Sequence, residues 1–264
     1  MTIAHRAAKG LHTDLLDDLH AMQCPLPFFL EYPYRLYRRA DDPLGKVLAA
    51  QRLLNILVKV PLYLVVEELV SVGDPIGQGI MKALGARPPS DGTLLNMQRE
   101  VIRDNVAGSL TLFSPLLDVM RDDATWGRMV ETRNRLSHPP FNPSPFLDAI
   151  DKGATLIVES LRGALSGCRF LIPTYTEYVS GKQVLTAEDI CSSDSKFRSI
   201  RVPVKLPIES FHSGKIVAWR EKPEASVTLG NLVSTKTVTE NTLDFGLFDR
   251  MENDQARFTF LRSE

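Results

Sequence analysis

The apolar residues of this chain recur at two spacings, and the change from one to the other near Gly167 divides it in two. Before Gly167 they recur every three or four residues, as on an amphipathic helix; after it they alternate, as on a strand. Residues 13–22 put Leu15, Leu16, Leu19 and Met22 on one stripe, with Thr13 or Asp14 as N-cap. Residues 25–37 interleave aromatics with Pro25, Pro27 and Pro33, which predicts an extended arm packed on helices and makes residues 1–42 an entry segment. From Asp42-Pro43, a good N-cap followed by proline at N1, helical spacing runs to Val72, and Pro61 should kink or split that helix. Further helices are predicted over 75–85, from Ser90 or Asp91 to 106, over 110–121, and from about 123 to 137 with Trp126, Met129, Val130 and Leu136 inward. A last one, capped by Ser144, runs to Leu165.

The alternating half reads as short strands at 169–179, 182–185, 197–204, 215–220, 225–229, 232–236, 244–248 and 257–261, with Ser180-Gly181 as a hairpin turn. The predicted fold class is therefore α+β. An all-α bundle at 1–167 precedes a small antiparallel β-rich domain at 168–264.

Composition narrows the function. The chain has 264 residues, 44% hydrophobic and 24% charged, with a net charge of −1, enough for one large domain or two modest ones. Near-neutral charge argues against coating nucleic acid by bulk electrostatics, so any RNA contact would be local. Residues 53–72 are the most apolar window, but Lys59, Pro61, Glu67 and Glu68 interrupt it, which predicts a buried core helix and no membrane span. Glu67 and Glu68 are helix neighbours that do not face each other, so a solvated or capping role is expected for them, not acid/base work. Cys24, Cys168 and Cys191 show no paired spacing and read as reduced thiols of a cytoplasmic protein. The first ten residues lack an apolar signal core. His12 and His20 are too far apart to share a metal directly, and Gly77 and Gly79 follow no strand, so neither a metal nor a cofactor is expected. No nucleophile elbow, Walker loop or His-Glu-x-x-His is present.

The stretch that carries chemistry is Glu131-Thr132-Arg133-Asn134-Arg135-Leu136-Ser137-His138-Pro139-Pro140. The prolines stop the helix, leaving His138 at a C-terminus whose carbonyls favour a cationic imidazole, with Asn134 one turn back. A guanidinium, an amide and an imidazole brought together there suit a phosphodiester: the first grips phosphate oxygens and the last moves a proton. The same residues would also serve a solvated helix end, with Arg133 in a local ion pair and His138 capping carbonyls.

Arg133-Asn134 followed by His138, late in a long helix of an all-helical half, resembles the Arg-x4–6-His motif of the HEPN superfamily, and the likeness extends over about residues 25–166. Pro139 replaces the glycine usual after the histidine. The resemblance implies a HEPN-like bundle and a metal-independent endoribonuclease, with attack by the RNA 2′-hydroxyl leaving a cyclic phosphate. In it His138 is the acid/base group, Arg133 the phosphate-binding cation, Asn134 an orienting amide and Arg135 a substrate contact. It further implies a homodimer through the motif-bearing helices and a setting in bacterial defence or a toxin system. The alternative is a non-catalytic HEPN-like module for dimerisation, nucleotide or partner binding. Beside a ribonuclease, the β-rich part would sense a trigger or dock a partner or ligand. Its basic points, Lys196, Arg198, Arg201, Lys205 and Arg220, read by default as a solvated strand face, and the alternative is one face for RNA or ligand contact.

Overall fold

Residues 56–69 are so largely apolar that they must be surrounded, and every one of them is buried. The structure, a computed structural model, describes residues 26–86, 89–104, 106–136, 144–191, 197–203, 215–222, 224–239, 242–253 and 255–261. The class is α+β: seven helices precede antiparallel sheets among the described residues. The helices are α1 (Phe28–Arg39), α2 (Pro43–Ser71), α3 (Pro75–Ala86), α4 (Asp91–Arg103), α5 (Leu116–Met120), α6 (Asp123–Leu136) and α7 (Ser144–Ala164).

The extended arm and the split at Pro61 are both overturned. Residues 28–39 form a helix, not an extended arm: Pro27 supplies the extended entry, and Phe28, Phe29, Leu30, Tyr34 and Tyr37 are buried. Pro33 lies inside α1 and removes one backbone donor, and the packing of those rings outweighs the loss. Pro61 likewise does not split α2, which runs unbroken for 29 residues because every residue from Ile56 to Leu69 is buried. Asp42 caps α2 as expected, its carboxylate accepting from Gly45 N at 2.7 Å. No helix among the described residues is long and apolar enough to cross a membrane.

Glu67 and Glu68 correct a third expectation. They are not solvated: each is buried and accepts three consecutive backbone N–H groups. Glu68 takes Thr111, Leu112 and Phe113, each at 2.7 Å. The predicted helix over 110–121 therefore shrinks to α5, because residues 111–113 turn their amides to this carboxylate. Glu67 takes Gly230 at 3.1 Å, Asn231 at 2.8 Å and Leu232 at 2.6 Å, with the Asn231 side chain on its other oxygen at 2.8 Å. A buried carboxylate is costly unless several donors surround it, and here the donors are backbone groups of two different segments.

The strands are β1 (Cys168–Val179), β2 (Lys182–Asp189), β3 (Arg198–Pro203), β4 (Ile216–Arg220), β5 (Ala225–Leu229), β6 (Val233–Thr239), β7 (Thr242–Glu252) and β8 (Gln255–Phe260). They form a five-stranded sheet in the order β3-β2-β1-β4-β5 and a three-stranded sheet in the order β6-β7-β8. The β1–β2 turn falls at Ser180-Gly181, with Val179 opposite Lys182. Gly167, at φ +76°, makes the left-handed exit from α7 into β1. The core is continuous across that exit: Phe29 packs edge-on against Phe170 at 5.3 Å, and Phe28 meets Phe245 at 5.4 Å. Glu31 and Arg162, both buried and 3.2 Å apart, tie α1 to α7.

Glu68→Ala should lower stability by about 3–5 kcal/mol, since three amides lose a charged acceptor, and Glu67→Ala should cost a similar amount. Glu131→Ala, an exposed position, should change it by less than about 0.5 kcal/mol. Urea midpoints of the three variants check the ranking.

Candidate functional site

The motif helix α6 is placed by close packing. Trp126, Met129 and Leu136 are buried, with Val130 partly so, and the Trp126 indole donates to Val119 O at 3.0 Å. On α7, Gly153 lets the two helices approach, because a Cβ there would stand 2.9 Å from Met129 Sδ. This seating turns Arg133 toward α2 and α4, while Asn134 and Arg135 remain at the surface.

Arg133 is held by Asp91, the first residue of α4. Ser90 caps that helix by accepting from Thr93 N at 3.2 Å, leaving the Asp91 carboxylate free to turn inward. Its two oxygens face different helices: Arg133 Nε lies 3.4 Å from Oδ2, and Asn55 Nδ2 donates to Oδ1 at 3.5 Å. Asp91 is buried and the Arg133 side chain is 32% exposed. Asn134 Oδ1 accepts from Arg133 Nη1 at 3.4 Å, so the amide touches the cation. Arg135 instead pairs with Glu131 at 2.5 Å on the exposed side of α6, and it does not join Arg133. His138 lies outside the described residues, as do His5, His12, His20, His212 and Cys24.

Arg133 forms part of the wall of a cleft of about 570 Å³ between α1, α2 and the β7–β8 hairpin. Two further cations line it, neither read from the sequence as a site residue. Arg52 donates to Phe260 O at 3.4 Å and also to Leu261 O. Lys59 is buried, donates to Phe248 O at 3.2 Å and lies 3.8 Å from Asp249 Oδ1. Burial lowers the Lys59 pKa below the usual lysine value, against a smaller upward pull from Asp249 and Asp91. A lysine inside an apolar helical run is the signal that could have flagged this position.

Comparison with protein-family models, with curated proteins and with solved structures finds no match to this chain. The site therefore has to be read from its own chemistry. A partly exposed guanidinium beside an amide, near the end of a helix, is suited to holding an anionic oxygen.

The basic points of the sheets do not gather. Arg198 and Arg201 are three residues apart on β3, hence on opposite faces, and Arg201 pairs with Glu177. Arg220 donates to Cys168 Sγ at 2.9 Å, whereas Lys196 and Lys205 fall outside the described residues. Cys168 and Cys191 are both free thiols, and burial pushes the pKa of each upward.

The lowered Lys59 pKa makes stability depend on pH. Between the folded value and the ordinary 10.5, the unfolded chain binds more protons, so stability rises with pH across that window. Below it the cost of burying the ammonium is present in full. Tyr63 works the other way above about pH 10, because burial raises its pKa. Urea titrations of wild type and Lys59→Met at rising pH, up to the ordinary lysine value of 10.5, should show the wild type gaining on the variant. A constant difference would mean that the ammonium is not desolvated.

Proposed function

We propose that this chain is a HEPN-like endoribonuclease that cleaves RNA without a metal ion by attack of the 2′-hydroxyl, in a bacterial defence or toxin setting. The observation that carries the reading is the state of Arg133. Its side chain, 32% exposed, lies beside the buried carboxylate of Asp91, touches Asn134 and stands near the end of α6, five residues before His138 in sequence. In the proposed reaction the guanidinium holds a non-bridging oxygen of the scissile phosphate and stabilises the charge that builds there. Asn134 fixes the phosphate or the imidazole, and His138 moves the proton between the attacking hydroxyl and the leaving 5′-oxygen. Two copies of α6 facing each other would complete the site in a homodimer.

A second reading has its own observation. Arg133 opens into a cleft within one chain, walled partly by Leu247 and Thr259 of the β hairpin, which favours a non-catalytic module that binds a small ligand there.

The test is cleavage of mixed cellular RNA in EDTA by wild type, His138→Ala and Arg133→Ala proteins matched for folding and dimerisation. The ribonuclease reading expects products ending in a cyclic phosphate from the wild type and a loss of at least about a hundredfold in both variants. Equal cleavage by His138→Ala would overturn it. Absence of cleavage by a dimeric wild type at high concentration would favour the binding module.

A further inference from the structure

The cleft that Arg133 enters has an apolar rim and a cationic floor. At the rim, Leu36 on α1 and Leu48 on α2 are 39% and 58% exposed, and Leu44, one turn before Leu48, is 70% exposed. Large aliphatic side chains left open side by side mark a surface that is covered by something apolar. At the floor, Lys59 is only 3% exposed. Its ammonium has three hydrogens, and the carbonyl of Phe248 and the carboxylate of Asp249, the latter at 3.8 Å, account for two of them.

We propose that this cleft binds a single-chain anionic amphiphile, an aliphatic carboxylate or alkyl phosphate whose head group meets Lys59 and whose chain lies along Ile56, Leu36 and Leu48. The walls select an aliphatic body over a planar one: the described lining holds leucine, isoleucine, alanine and proline and no aromatic ring on which a base would stack. A volume of about 570 Å³ suits a small molecule of this kind. The head group supplies the anion that a buried ammonium needs, and the tail covers the exposed leucines, so one ligand accounts for both ends of the cleft. The inference goes beyond the ribonuclease reading and does not rest on it, because neither Lys59 nor Leu48 belongs to the Arg-Asn-His motif.

Calorimetric titration of the full chain with decanoate and with decyl phosphate, both as monomers, tests this. Decanol, AMP and anionic phospholipid vesicles serve as the comparison arms. Saturable one-to-one binding of at least one anionic amphiphile is expected, weakened at least about tenfold by Lys59→Met and about fivefold by Leu48→Gln. The two head groups distinguish a carboxylate from a phosphate ligand. Lys59→Met keeps a long apolar side chain on α2, and Tyr63, which also donates to Phe248 O at 3.0 Å, still serves that carbonyl. Leu48→Gln lies at an exposed position and tests the tail even if the first variant fails to fold. The proposal is overturned if neither anion binds, if AMP binds as tightly, if decanol equals decanoate, or if a folded variant binds unchanged. Vesicle sedimentation lost in Leu48→Gln, without binding of the free amphiphiles, would likewise overturn it by making this face a membrane surface. None of these readouts uses RNA, so the two readings fail separately.

Discussion

Two adjacent buried carboxylates determine how this chain closes on itself. Glu67 and Glu68 leave the same turn of α2 in different directions, and each gathers three successive backbone amides from a segment far away in sequence. Residues 111–113 are thereby fixed beside the bundle, and Phe113 stacks on Phe170 of β1 at 6.2 Å. Residues 230–232, the link between the two sheets, are fixed against the other side. Apolar contact alone would let sheets slide over a helix, since burial has no direction. A carboxylate that needs its donors in place does not allow such sliding.

Glu67 is one end of a polar line along α2. Arg52, Lys59, Tyr63 and Glu67 recur at helical spacing, and each spends its polar atoms on backbone groups of the β-rich part: carbonyls of Phe260 and Phe248 for the first three, amides of residues 230–232 for the last. The cleft opens where this line is least filled, between Arg52 and Lys59, and there α6 delivers Arg133. Asp91 connects the two systems, taking Asn55 from α2 with one oxygen and Arg133 with the other. The candidate site is thus built onto the element that orders the whole core, which gives the guanidinium a rigid mount.

Much of this was legible in the sequence. The switch of period at Gly167 placed the change from helix to strand, and Asp42-Pro43, Ser90 and Ser180-Gly181 marked local geometry that the structure reproduces. Residues 28–39 were misread because prolines among aromatics resemble an arm, and only the burial of four rings and one leucine shows why a helix tolerates Pro33. Glu67 and Glu68 were misread because nothing local tells a carboxylate that it will meet amides more than forty or a hundred and sixty residues away. Arg133 and Asn134 were read from spacing and do touch each other, whereas Arg135 turns to Glu131, one helical turn back on the outer face. Lys59, Arg52 and Asp91 were beyond reach as a set, since the cleft exists only after three helices and a hairpin have met.

The account makes one demand on solution behaviour that outranks the rest: Arg133 and His138 act together on one phosphate, across two copies of the chain. Mixing His138→Ala and Arg133→Ala proteins, exchanging their subunits and measuring cleavage in EDTA tests it directly. If the site takes its arginine from one protomer and its histidine from the other, each inactive protein restores what its partner lacks. About a quarter of the wild-type rate should then return. A mixture that exchanges subunits fully and stays as inactive as either variant, beside an active wild type, would contradict the shared site.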